Sequence, residues 1–89
     1  MAAEQEILLP TGFKFGDVTV RYADGSEERK TTVYAPVKFG ENMEINMPVD
    51  LETGAIMNEK GTTPIGMAVT PEQLNQSQQA LAWQLSQSS

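Results

Sequence analysis

The clearest pattern of hydrophobic and polar positions runs from Gly16 to Phe39, where two alternating segments flank Asp24-Gly25. Alternation with a period of two is typical of β-strands, and Asp-Gly between two such segments is typical of a two-residue type I′ turn. The pattern predicts a β-hairpin that turns at Asp24-Gly25. A loop of this length places Arg21 opposite Glu28, which favours an attractive charge pair across the strands.

The same register predicts which side chains share a face of the hairpin. Because side chains alternate between the two faces of a strand, the loop length decides which apolar positions of the two strands meet. A two-residue loop combines five apolar positions on one face, namely Val18, Val20, Tyr22, Val33 and Ala35.

The segment from Met43 to Leu51 has the most regular alternation in the chain, with apolar residues at every odd position. A half-buried strand with one face in water produces this pattern. Pro48 has no N–H group to donate, so the strand is predicted to lie at a sheet edge or to be interrupted at its middle. Met43 and Met47 are either core residues or part of an adaptable binding surface.

Three shorter strands are also predicted. One extends from Glu6 to Leu9 and stops at Pro10, and a second covers Ala55 to Met57. The third follows Pro64 and contains a glycine, Gly66, that indicates a bulge or a close backbone approach.

The C-terminal region changes to a helical pattern. Thr70-Pro71-Glu72-Gln73 predicts a helix start, with Thr70 as N-cap, Pro71 at the first helical position and Gln73 completing a capping box. The helix is expected to extend from Pro71 to between Gln84 and Gln87. At about 100° per residue, one stripe faces the sheet, and we expect Trp83 and Ala80 to face outward. The residues of that stripe are Leu74, Gln78, Leu81 and Leu85.

Together these elements predict an α+β fold: a small, mainly antiparallel β-sheet domain with a dominant β-hairpin and one C-terminal α-helix. Residues 1–89 are predicted to form a single domain, β-rich over about residues 7–69 and helical over residues 70–87.

Composition excludes several kinds of chemistry. The 89 residues include no cysteine and no histidine, which removes disulfides, thiolate metal sites and the most common general base. Asp50 and Glu52 are two positions apart on a wet face, which is typical of two solvated acids that flank a turn rather than of an acid–base pair. We therefore expect no catalytic residues, no cofactor and no metal, and a non-enzymatic function.

The charge distribution argues against direct nucleic-acid binding. The net charge is −6, and the segment from Glu41 to Glu59 contains five acids and no base. This acidic segment is either a solvated surface or a surface that meets a basic partner. No signal peptide or stretch of about 20 apolar residues is present, so we expect no membrane association and a location in the cytoplasm or in a virion.

The resulting functional hypothesis is a structural or interaction subunit of a larger assembly, such as a capsid or tail accessory protein of a viral particle. It binds a protein partner or a second copy of itself. The alternative is a small acidic inhibitor that competes with nucleic acid for a basic groove. Trp83 either packs on a neighbouring loop or anchors an interface. The full set of candidate interface residues is Trp83, Ala80, Gln76, Met43, Met47, Glu44, Asp50 and Glu52.

Overall fold

The computed structural model describes residues 6–87 and confirms the α+β class. Residues 1–5 and 88–89, which the single-domain prediction includes, lie outside the described part. Strands β1, β2 and β3 form one antiparallel sheet in that order, and β4 pairs with β5 in a second, two-stranded sheet. The elements are β1 (Lys14–Arg21), β2 (Glu27–Phe39), β3 (Met43–Pro48), β4 (Ala55–Met57), β5 (Pro64–Ala68) and α1 (Pro71–Gln87).

The β1–β2 hairpin forms as predicted, but the predicted register is wrong by one residue. Arg21 lies opposite Glu27, and Val18 opposite Lys30. The Gly25 N–H donates to the Tyr22 carbonyl at 3.0 Å, and the Tyr22 N–H donates to the Ser26 carbonyl at 2.9 Å. These bonds define a three-residue loop, a type I turn followed by a glycine bulge.

Backbone geometry explains the longer loop. A type I′ turn needs positive φ at both central residues, but Gly25 has φ +89° while no non-glycine residue in the described chain has positive φ. The Asp24 carboxylate instead accepts hydrogen bonds from the Ser26 backbone N–H at 2.9 Å and the Ser26 hydroxyl at 2.6 Å. Asp24 therefore stabilises the wider loop through its side chain.

The register shift moves the core to a different set of side chains. Val18, Val20 and Tyr22 do not share a face with Val33 and Ala35, so that expectation is wrong. The buried face of β2 joins the odd-numbered residues of β3, and Ile56 of β4 completes this core cluster. Phe13, Ile45, Leu51, Ile65 and Val69 pack against the cluster, whose buried members are Ala35, Val37, Met47, Val49 and Ile56.

Pro48 lies at a position of β3 where the missing N–H group removes no hydrogen bond to β2. The prediction of an edge strand is confirmed, because β3 borders only β2 in the three-stranded sheet. The Val49 N–H donates to the Val33 carbonyl at 2.9 Å, so the neighbouring Pro48 has its backbone nitrogen directed away from β2. An isolated bridge between Val49 and Ile56 then connects the end of β3 to β4.

The two short C-terminal strands are confirmed, and the N-terminal one is wrong. Gly66 has φ +88° and lies where the β4–β5 register shifts, so it forms a bulge rather than a close backbone contact. Residues 6–10 form no strand. The backbone of this segment is instead hydrogen-bonded to the helix, since Gln76 Nε2 donates to the Leu8 carbonyl at 2.8 Å.

The helix begins with the predicted capping box. The Gln73 N–H donates to Thr70 Oγ1 at 3.1 Å, and the Thr70 N–H donates to Gln73 Oε1 at 3.0 Å. The helix extends from Pro71 to Gln87 as expected.

The buried face of the helix differs from the predicted leucine stripe. Ser77 and Ala80 are 1% and 0% exposed, whereas Leu85 is 50% exposed. The expectation that Ala80 faces outward is therefore wrong. The helix lies against β2, and small side chains at these two positions let its backbone approach the sheet. Leu74 packs at one side, where a Cβ at Gly54 would lie 3.2 Å from its Cδ2 atom.

Candidate functional site

The structure does not gather the eight candidate interface residues into one surface. Ala80 and Met47 are buried, at 0% and 6% exposure, and are not accessible to a partner. Trp83 and Asp50 are half-buried. The exposed members lie on separate elements, namely Gln76 on α1, Met43 and Glu44 on β3, and Glu52 in the turn that follows β3.

Trp83 combines partial burial with an unsatisfied polar atom. Its Nε1 is inaccessible to solvent and has no hydrogen-bond partner, and the same is true of Ser77 Oγ. A buried tryptophan N–H usually finds an acceptor. Part of the indole therefore packs within the chain, and its use as an interface anchor stays a prediction.

An exposed apolar pair lies at the end of the β2–β3 hairpin. Phe39 and Met43 are directly opposite each other across the strands, and they are 41% and 56% exposed. The row continues inward through Val37 and Ile45, which are buried and half-buried. Met43 was predictable from the alternation of its strand, whereas Phe39 was not among the predicted interface residues. Phe39 lies just before the turn at Gly40 and in register with Met43, and this position is the signal that indicates it.

The acidic segment is distributed over three separate places. Glu41 and Glu44 lie in and beside the β2–β3 turn, Asp50 and Glu52 lie in the turn after β3, and Glu59 lies between β4 and β5. Asp50 Oδ1 accepts the Glu52 backbone N–H at 2.9 Å, so this carboxylate stabilises its own turn. Across residues 6–87, no three acidic side chains are arranged to hold a metal ion.

The tip of the β1–β2 hairpin carries the perturbed titrating groups. The Tyr22 hydroxyl donates to Glu28 at 2.8 Å, and this bond raises the pKa of Tyr22. Hydrogen bonds from the Ser26 hydroxyl and then from its backbone N–H lower the pKa of Asp24. Both groups are exposed on a loop, so their shifts reflect local turn chemistry rather than an enclosed catalytic site.

A cleft of about 770 Å³ lies between the β1–β2 hairpin and the β4–β5 turn. One wall is formed by residues 17–21 of β1 together with Glu27 and Tyr34 of β2, and the other by residues 59–62 of the turn. Gly61 lies close to Val18, since a Cβ at Gly61 would be 3.4 Å from Val18 Cγ1. This cleft is not predictable from the sequence, because it depends on how the two sheets meet.

Comparison with known protein families, curated proteins and solved structures found no match. Within residues 6–87, no helix has both the length and the apolar character that crossing a bilayer requires.

Proposed function

We propose that this protein is a non-enzymatic structural subunit of a larger assembly, of the kind that accessory proteins of viral particles represent. The observation that supports the proposal is that the chain exposes more surface than a compact monomer of its size. The chain exposes 6525 Å², about a quarter more than the roughly 5,100 Å² expected for a compact monomer of this length.

The shape and the small core explain this excess. The molecule measures 45 × 41 × 20 Å, so it is flat. Within residues 6–87 the buried hydrophobic side chains are few and mostly small, and they are Val33, Ala35, Val37, Met47, Val49, Ile56 and Ala80. A stable protein interface buries about 800 Å² per partner, which is within the excess surface that this chain exposes.

The Phe39–Met43 pair is the contact that the proposal assigns to the assembly. Apolar side chains at the centre of an interface contribute most of its binding energy when polar groups surround them. Glu41 lies in the turn that joins the two residues, whereas Glu44 projects to the opposite face of β3, directly across from Lys38. The partner surface is therefore an apolar patch with a basic residue facing Glu41, because opposite charges at the rim favour association.

The test is the size of the species that contains the protein in extracts of the cells that produce it. In a sedimentation gradient, the native chain is expected in a heavy fraction. The double substitution Phe39→Ser and Met43→Ser should move it to the light fraction. Met67→Ser is the matched control, since Met67 is 46% exposed but lies on β5, and this variant should stay heavy.

Two results would contradict the proposal. One is a native chain that sediments only as a free small protein. The other is a doubly substituted chain that remains heavy while its fold, measured by circular dichroism, is unchanged.

A further inference from the structure

The outer edge of β1 presents unpaired backbone groups. The hydrogen bond from the Tyr22 N–H to the Ser26 carbonyl shows that the backbone N–H of Tyr22 is directed toward β2. In an antiparallel ladder this role alternates along the strand, so the even-numbered residues of β1 bond to β2. The N–H and C=O groups directed away from β2 belong to Phe15, Asp17, Thr19 and Arg21.

This edge lacks two of the features that protect edge strands. Natural edges are blunted by proline, by bulges, by charged side chains or by a covering segment. The eight residues of β1 contain no proline, and their register with β2 is regular throughout. Among these outward groups of the described chain, the Asp17 carbonyl accepts a hydrogen bond from the Tyr34 hydroxyl at 3.0 Å. By contrast, the edge of β3 contains Pro48 and is bridged to β4.

Residues 17–21 also line the cleft of about 770 Å³, whose opposite wall is the β4–β5 turn at residues 59–62. The edge therefore has free hydrogen-bonding groups, and open space adjoins part of its length. An added strand is the occupant that fits these two features, because its backbone can continue the ladder.

We infer that β1 pairs antiparallel with β1 of a second copy of this chain, about a two-fold axis that passes beside Thr19. This arrangement places Thr19 opposite the partner's Thr19 and Asp17 opposite the partner's Arg21. The even-numbered positions match as well, since Val18 lies opposite the partner's Val20. Threonine pairs, β-branched pairs and opposite charges are each favourable across antiparallel strands.

The other registers are less complementary. An axis beside Asp17 or beside Arg21 places two like charges directly opposite each other. An axis beside Val18 brings Asp17 opposite the partner's Thr19. An axis beside Val20 places Asp17 opposite the partner's Ala23, in the hairpin loop. The register centred on Thr19 alone satisfies both charged side chains and also pairs outward-directed residues with each other.

The charges already present in each copy extend this pairing. Within one copy, Arg29 Nη2 lies 3.1 Å from Asp17 Oδ2, and Arg21 Nε lies 2.8 Å from Glu27 Oε1. Across the axis, Asp17 gains the partner's Arg21 as a second basic neighbour. The dimer therefore contains two rows in which acidic and basic side chains alternate, and the six strands form one continuous sheet.

This surface is separate from the Phe39–Met43 pair, so the dimer does not depend on the proposed function. The first test is the mass of the purified chain by sedimentation equilibrium over a concentration series. A dimer is expected. A chain that remains monomeric at millimolar concentration overturns the inference.

Charge reversal tests the register. Asp17→Lys places the new lysine opposite the partner's Arg21, and Arg21→Glu places the new glutamate opposite the partner's Asp17. Each variant alone should dissociate at least roughly tenfold more readily than the native dimer. An equimolar mixture of the two variants makes both charge pairs attractive again, so the mixture should recover the native affinity. A mixture that associates no better than either variant alone contradicts this register.

Cross-linking provides a second measurement that does not depend on the charged side chains. Paired residues at a hydrogen-bonded position have Cα atoms about 5.5 Å apart, within the range that a disulfide can bridge. The chain has no native cysteine, so Thr19→Cys should form a covalent dimer upon oxidation. Glu41→Cys, in the exposed β2–β3 turn, is the control and should cross-link slowly. Equal rates for the two variants would overturn the inference.

Discussion

The ring of Tyr34 occupies the space that a side chain at Gly16 would need. A Cβ atom at position 16 would lie 2.6 Å from Cε1 of Tyr34. The ring crosses β1 on this side, and its hydroxyl reaches the Asp17 carbonyl at 3.0 Å. Glycine in a strand normally weakens it, but here the glycine lets an aromatic ring pack on the backbone.

Gly16→Ala is therefore expected to lower the free energy of unfolding by about 1–3 kcal/mol, because the ring of Tyr34 must move. Urea denaturation measures the change. In a Tyr34→Ala background the same substitution should be neutral or stabilising by up to about 1 kcal/mol, since alanine restricts the unfolded chain. Equal effects in the two backgrounds would show that the ring does not limit position 16.

Gly25 is constrained by backbone conformation alone. It has φ +89°, and a Cβ there would meet no atom within 4 Å. Gly25→Val should therefore destabilise the chain by more than about 1 kcal/mol, and Gly25→Asn by less, because asparagine tolerates positive φ. Thermal unfolding of both variants provides the comparison. An unchanged melting temperature for the valine variant would contradict this account of the loop.

The Asp24–Ser26 contact predicts a dependence on pH. Hydrogen bonds from Ser26 hold the pKa of Asp24 below its ordinary value of 3.8. Because the folded state has the lower pKa, this contact stabilises the fold at neutral pH and is lost as the pH falls through the folded-state pKa. Ser26→Ala should raise the pKa of Asp24 toward 3.8, as measured by a carboxyl-carbon NMR titration. An unchanged titration midpoint would show that the hydroxyl does not hold the carboxylate.

These details separate what the sequence predicts from what it leaves open. The capping box was predictable because Thr70 and Gln73 interact within one helical turn. The strands were predictable from alternation. The hairpin register was not, because it depends on whether Asp24 adopts positive φ or binds Ser26 through its side chain. Both choices are compatible with Asp-Gly in a sequence.

The helix orientation and the cleft show a second limit. Ser77 and Ala80 are less hydrophobic than the leucines beside them, so periodicity assigned the sheet-facing side to the leucines. In the structure, small size matters more than hydrophobicity, since it lets α1 approach β2. The exposed Phe39–Met43 pair and the β1 cleft likewise depend on strand register and on the contact between the two sheets.

The buried hydroxyl of Ser77 destabilises the fold, and a substitution can remove this effect. Its hydroxyl is buried and has no hydrogen-bond partner, and a buried polar group in that state costs about 1–3 kcal/mol. Ser77→Ala should therefore raise the melting temperature, and alanine also favours the helix. Ser86→Ala is the control, because its hydroxyl donates to the Trp83 carbonyl at 2.7 Å and its loss should give no such gain. A less stable Ser77→Ala variant would contradict the prediction.

The contribution of Trp83 to folding stability can be tested by two substitutions. Trp83→Ala should cost about 2–3 kcal/mol of folding stability, because part of the ring packs within the chain. Trp83→Phe should cost much less, since it keeps an aromatic ring and removes the buried Nε1–H that has no acceptor. Chemical denaturation of both variants measures the difference. Equal losses for the two would mean that the indole nitrogen contributes to the fold.

Pro48 has a consequence for how far strand addition can proceed. A sheet with two receptive edges can recruit copy after copy and grow into a fibre. In this molecule the outward-facing position at Pro48 has no N–H group to offer the next strand. Growth through β1 therefore ends at two copies, and the outer boundaries of the six-stranded sheet resist polymerisation.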